Sequence, residues 1–239
     1  MLAHRIDGTG SDDLVLLHAG VADMRMWDPL VAELSHDFRI LRCDLPGFGG
    51  SPVPEGEFST VGMVAEVIAH AGLEQPVVVG NSWGGFVALG LADLASQLIL
   101  ISAFWPLEAW STEHESFVAR EEALLEAGDL DAAVDLNVEL WAPEGYEDLI
   151  RSAQRRAFEH QLDAEVQDTD EEPDLDAIAI PVITAFGEHD VPDFVHIAET
   201  LSETLADAVL VKIEDAGHLT PLERPEAVAN LIRTTALLD

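Results

Sequence analysis

A doubly wound α/β fold, with a mostly parallel sheet and a helical cap inserted into it, is predicted here by three observations. Short runs rich in Val, Ile and Leu, such as Leu14–His18, Val77–Val79 and Leu98–Ile101, alternate with segments of helical spacing. Almost every residue of those runs is apolar, as in strands buried on both faces of a parallel sheet. Between positions 104 and 176 the strand-like runs stop and charged helical segments replace them, before the alternation resumes. The expected division is a core of residues 1–103 and 177–239 and a cap of 104–176.

Taken in order, Leu2–Ile6 reads as a short strand turned at Asp7-Gly8-Thr9-Gly10, and Leu14–His18 as the first buried strand. A loop from Ala19 to Asp23 leads to an amphipathic helix over Met26–Leu34, with Asp28-Pro29 near its start. Phe38–Cys43 is the next strand, followed by Asp44–Pro52, a loop dense in turn residues. Thr60–Ala71 places Val61, Val64, Ala65 and Ile68 on one helical face. Then come a strand over Pro76–Val79, a helix to about Leu91, and a strand over Leu98–Ile101. In the cap, one helix ends near Gly128, and others cover Asp131–Trp141 and Tyr146–Leu162. Asp168–Asp176 reads as an acidic linker. Trp105, Trp110, Phe117, Trp141 and Phe158 are expected mainly to pack inside the cap, with one or two facing the pocket. Strands over Ile178–Phe186 and Ala208–Ile213 flank a helix over Phe194–Leu205, and Pro225–Leu238 is a closing helix.

The bulk properties exclude several function classes. With 239 residues the chain forms one sizeable domain, or one domain with an insertion. Eleven basic residues against 46 acidic ones give a net charge of −35, and Lys212 is the single lysine. Phosphate backbones and anionic lipid surfaces repel such a chain, so nucleic acid and membranes are not expected partners. Salt adaptation and a simple preference for arginine in an acidic soluble protein both account for the charge; melts at low and at molar salt separate them. No apolar run reaches the ~18–20 residues that span a bilayer, and the first residues do not resemble a signal peptide. A lone cysteine, Cys43, forms no internal disulfide and fits a reducing cytoplasm, in a strand-end packing role. Oligomeric state is not legible.

The chemistry centres on Val79-Gly80-Asn81-Ser82-Trp83-Gly84-Gly85-Phe86. A buried strand passes through a very tight turn into a buried helix, and the glycines remove side chains where the two nearly collide. Ser82 is thereby pushed to the tip of a nucleophile elbow, with the Trp83 amide beside it to donate to an oxyanion. A serine hydroxyl needs a base at neutral pH. His218, in the turn-rich loop Asp215-Ala216-Gly217-His218 after the last strand, supplies it. Asp190, in the loop after the preceding strand, is expected to fix the histidine tautomer. Glu188, His189, Asp193 and the more distant Glu108 are the competing neighbours. A second oxyanion donor is expected after the Leu14–His18 strand, from Gly20, with Val21 as the adjacent candidate. His18 is read as bracing that loop, and Asp44 as a turn and capping residue.

These motifs resemble the α/β-hydrolase superfamily from end to end: His18-Ala19-Gly20 with Trp27, Asp44–Ser51, Gly80–Gly85, Gly187–Asp190, and Gly217-His218 followed by Pro221, Glu223 and Pro225. The resemblance is to small esterases and 3-oxoadipate enol-lactonase-like proteins. It implies a sheet of about eight strands, with the first one absent here. It also implies a Ser82–His218–Asp190 triad acting on a small ester, thioester or lactone. Carbon–carbon bond hydrolysis and cofactor-free perhydrolysis use the same triad and stay open, as does a non-catalytic ligand-binding role on this fold. Two departures stand out: Ala19 replaces the usual glycine after the histidine, and the serine at 82 argues against the aspartate-based dehalogenases and epoxide hydrolases. No metal or cofactor is implied. His114-Glu115 lacks a second histidine at position 118, paired cysteines are absent, and neither a phosphate loop nor a dinucleotide fingerprint is present.

Overall fold

The computed structural model describes residues 1–162, 164 and 167–236. The strands are β1 (His4–Asp7), β2 (Asp12–Leu17), β3 (Phe38–Cys43), β4 (Glu57–Phe58), β5 (Val77–Asn81), β6 (Gln97–Ile101), β7 (Gln167–Asp168), β8 (Val182–Gly187) and β9 (Ala208–Ile213). The helices between them are α1 (Asp28–Leu34), α2 (Thr60–Ala71), α3 (Trp83–Gly90), α4 (Thr112–Glu126), α5 (Leu130–Trp141), α6 (Glu147–Gln161) and α7 (Pro192–Thr204). After β9 come α8 (Thr220–Glu223) and α9 (Pro225–Ala236). The last two residues of the expected closing helix, 237 and 238, lie outside the described residues.

The main sheet has the order β1-β3-β2-β5-β6-β8-β9, and every pairing is parallel except that of the edge strand β1 with β3. Among the described residues the main sheet has seven strands, against the about eight that the resemblance implies. Alternation along each strand feeds two cores. Leu14 and Leu16 pack with Trp27, Val77, Val79 and Ile99 on one face, while Val15 and Leu17 pack with Val78, Val87, Leu98 and Leu100 on the other. The chain moves outward from β2 to β3 and then crosses back to β5. The carboxyl ends of the adjacent strands β2 and β5 therefore form a switch point, where a crevice opens in folds of this kind.

Glycine closes that junction. A Cβ on Gly84 would lie 2.2 Å from the Leu17 carbonyl oxygen and 2.7 Å from that of His18, and one on Gly80 would lie 2.1 Å from the Gly84 oxygen. These obstacles are backbone atoms, so α3 could admit a methyl group only by lifting off β2. Gly84→Ala is expected to cost about 3 kcal/mol or more, read as a lower urea midpoint. An unchanged midpoint would mean that α3 is free to shift.

Between β6 and β8, α4, α5 and α6 occupy the stretch read as a cap. Its aromatic residues divide between the cap and the core. Phe158 joins a cluster internal to these helices, with Ala133 and Val134. Phe117 meets Trp141 edge-on at 5.7 Å, while Trp105, Trp110, Phe117 and Trp141 also pack against the core cluster that holds Val87 and Phe194. The acidic linker also holds a feature the sequence did not signal. Its first residue, Asp168, belongs to β7, which pairs in parallel with β4. Two-residue strands carry no readable pattern. Among the described residues no helix is long and apolar enough to cross a membrane.

Candidate active site

Ser82 stands between β5 and α3 with φ 53° and ψ −118°, a left-sided backbone conformation uncommon for a residue with a side chain. The turn is held from three sides: Ser82 N–H donates to Ile101 O at 3.0 Å, while Gly85 and Phe104 N–H donate to Ser82 O at 2.8 and 2.9 Å. The strain is thus carried by the sheet and the helix, and the side chain is left half-buried at the switch point. Gly20 lies against the elbow, since a Cβ there would be 3.7 Å from Trp83 Cβ. Among the described residues, the amides of Gly20, Val21 and Trp83 donate to no protein acceptor.

His218 and Asp190 meet as buried neighbours, each 8% exposed, with Nδ1 and Oδ1 2.9 Å apart. Asp190 Oδ1 also accepts from Val191 N–H at 2.7 Å, which sets the carboxylate plane. The loop carrying His218 rests directly on the end of β8, where a Cβ on Gly187 would sit 2.3 Å from Gly217 O. It is braced by Gly217 N–H donating to Glu223 at 2.8 Å and by Thr220 Oγ donating to Gly217 O at 2.9 Å. Asn81, the residue before Ser82, donates through Nδ2 to the His218 carbonyl at 3.2 Å. The imidazole is packed between Phe194, 4.3 Å away between ring centres, and Trp141 at 4.7 Å. No hydrogen bond joins Ser82 Oγ to His218 among the described residues.

The competing neighbours are engaged elsewhere. Glu188 is exposed and accepts from Lys212 at 3.1 Å; that ammonium holds its carboxyl below the ordinary range. Asp193 accepts from both the amide and the hydroxyl of Ser111, at 2.8 and 2.6 Å, and so fastens the start of α4 to α7. Glu108 and His189 are exposed. Asp44 accepts from Met24 N–H at 2.8 Å and from Gly50 N–H at 2.7 Å, as a turn residue does. Cys43 is buried, and burial pushes its thiol up to about 12, so it is chemically inert.

His18 braces the loop that carries Gly20. Its Nδ1–H donates to Ala19 O at 2.8 Å and its Nε2 accepts from Leu45 N–H at 2.9 Å, so the neutral ring is satisfied at both nitrogens. Burial holds its pKa below the usual 6.5, against smaller opposing contributions from the Ala19 carbonyl, Asp44 and Asp23. A proton on Nε2 would also face the Leu45 donor. The unfolded chain therefore binds the proton more readily, and the stabilising part of His18 is present above about pH 6.5 and lost as pH falls. The stability gap between wild type and His18→Gln is expected to shrink between pH 7.5 and pH 5 in urea titrations. A gap of constant size would contradict this.

A cavity of about 430 Å³ opens beside the elbow, with Gly20 and Trp83 in its lining. Its walls are mostly apolar, from Phe48, Val53 and Phe58, and Asp168 is the charged residue in its lining among the described residues. A larger hollow of about 580 Å³ lies between α4 and α5 around Phe117 and Arg120, away from the strand ends.

Sheet order, elbow and paired loops together define the class: this is a hydrolase fold of the doubly wound kind. A family model described as the alpha/beta hydrolase family matches residues 14–231, and the chain belongs to that family. It is 28% identical to a pimeloyl-acyl-carrier-protein methyl ester esterase of Nitrosomonas europaea, covering 95% of this chain and 96% of that one. It is 27% identical to the carboxylesterase YbfK of Bacillus subtilis, over 90% of this chain and 77% of that protein. Among solved structures, a thermophilic esterase from Thermogutta terrifontis superposes with a TM-score of 0.76 at 26% identity, covering 98% of this chain and 92% of that one. The enol-lactonase from Burkholderia xenovorans superposes with a TM-score of 0.80 at 24% identity, over 98% and 95% of the two chains, which speaks for the fold alone.

Proposed function

We propose that this protein is a serine hydrolase of small carboxylic esters, thioesters or lactones, with Ser82, His218 and Asp190 as its triad. The observation that carries the reading is the buried Asp190–His218 pair, tied through the His218 carbonyl to Asn81, the neighbour of the strained Ser82. In this reading residues 1–103 and 177–239 are the catalytic core and 104–176 a cap over it. The names of the esterase relatives agree with the reaction.

Asp190 accepts from His218 Nδ1–H and leaves Nε2 with its lone pair for the Ser82 hydroxyl. As Ser82 Oγ bonds to the carbonyl carbon, its proton passes to Nε2 and the carbonyl electrons move to oxygen. The amides of Trp83 and Gly20 receive that oxyanion, with Val21 adjacent. Collapse of the intermediate expels the alcohol, thiol or lactone oxygen, which takes the proton from Nε2. Water then attacks the acyl-enzyme carbonyl and gives its proton to Nε2; as this second intermediate collapses, Ser82 Oγ leaves, takes that proton back from Nε2, and the acid is released. The Ser82–His218 hydrogen bond forms as substrate enters, a common adjustment in unliganded enzymes.

The test is hydrolysis of a p-nitrophenyl acyl ester series. Turnover is expected, with a chain-length optimum set by the cavity beside Gly20. No turnover across the series by folded protein would remove the reading.

A further inference from the structure

The cavity beside the elbow has an uneven chemistry. It is lined by Gly20 and Trp83, the residues proposed as oxyanion donors, and by Phe48, Val53 and Phe58. Asp168 also lines it, and among the described residues its carboxylate is bonded by neutral groups only. Thr60 Oγ donates to Oδ2 at 2.6 Å, while Asp170 N–H at 3.1 Å and Thr60 N–H at 3.4 Å donate to Oδ1. The β4–β7 pairing and the buried Thr60 hold it there. No basic side chain pairs with it among the described residues. A carboxylate accepts about four hydrogen bonds, so capacity is left for a group inside the cavity.

We propose that this cavity is an acyl site selective for charge: it takes an acyl chain of several methylenes that ends in a cationic group, which Asp168 receives. The inference rests on the ester-hydrolase reading above. Two features of different range point the same way. Locally, a cavity with mostly apolar walls, lined by Gly20 and Trp83 and by the Asp168 carboxylate, matches an aliphatic chain with a positive end. Globally, the net charge of −35 raises the concentration of cations at the surface and repels an acyl chain ending in a carboxylate. Because Asp168 is exposed on its outer side, its share is modest, about fivefold in kcat/KM at low salt.

Three p-nitrophenyl esters of matched length test this: 6-(trimethylammonio)hexanoate, its neutral isostere 7,7-dimethyloctanoate, and the monoester of heptanedioic acid. Wild-type enzyme is expected to prefer them in that order, and Asp168→Asn to lose the advantage of the cationic over the neutral ester. Equal or reversed preference in the wild type would overturn the proposal. So would a cation preference that survives in Asp168→Asn, because the overall field would then account for it. A variant slowed alike on all three esters would assign Asp168 to holding the cavity wall, and the proposal would fall. If no ester of the three is hydrolysed and a fluorophosphonate leaves Ser82 unlabelled, the ester-hydrolase reading itself fails.

Discussion

Ser82→Ala should lower kcat for p-nitrophenyl esters by about 10⁵-fold or more, leaving only what oxyanion donors and binding contribute. The fold should survive the change. Ser82 contributes its backbone to the junction, through the bonds to Ile101, Gly85 and Phe104, and among the described residues its hydroxyl makes no hydrogen bond. Alanine keeps those backbone bonds and meets the same φ of 53°. Loss of activity with an unchanged urea midpoint therefore isolates the nucleophile. A fluorophosphonate should label the wild type at Ser82 and leave the variant untouched. Retention of more than about a hundredth of the activity would point to water attacking directly under base catalysis, without an acyl-enzyme.

Asp190→Asn is the second large effect, about 10⁴-fold in kcat. The side chain keeps its size in a site that is 8% exposed, so packing is preserved. Two electrostatic contributions vanish together. The negative charge that stabilises the imidazolium during attack is removed. The amide also offers a donor toward Nδ1, which favours the tautomer with its proton on Nε2, where it cannot accept from Ser82. Glu188 offers no substitute, being bonded to Lys212 on the outside of β8. A fall below tenfold would mean that another carboxylate orients His218. Asp193 would be the residue to change next, although its two oxygens are given to Ser111.

Much of the site is readable along the chain because it follows strand ends. Gly20, Ser82, Asp190 and His218 each follow directly on β2, β5, β8 and β9 or their short loops, and in a parallel sheet those ends converge at one edge. The elbow is more legible still, because Gly80 and Gly84 are demanded by backbone contacts of 2.1 and 2.2 Å and leave a recognisable spacing. Which carboxylate meets His218 is less so. Glu188, Asp190 and Asp193 lie within six positions, and only the path of the loop at the start of α7 sends Asp190 inward, Glu188 to Lys212 and Asp193 to Ser111.

The inserted helices show where local pattern runs out. Trp141 reads as one more apolar residue on a helical face, yet its ring lies 4.7 Å from that of His218. Asp168 reads as the start of an acidic linker, yet the short β4–β7 pair carries it into the lining of the cavity beside Gly20. The sequence by itself determined the alternation of strand and helix, the strained turn at Ser82 and the loops that follow each strand, because these depend on neighbours a few residues apart. The tertiary structure alone decided the lining of the cavity and the partner of each acidic side chain. Those contacts join residues far apart in the chain, from 24 positions for Glu188 and Lys212 to 108 for Thr60 and Asp168, and no local periodicity encodes which distant surfaces meet.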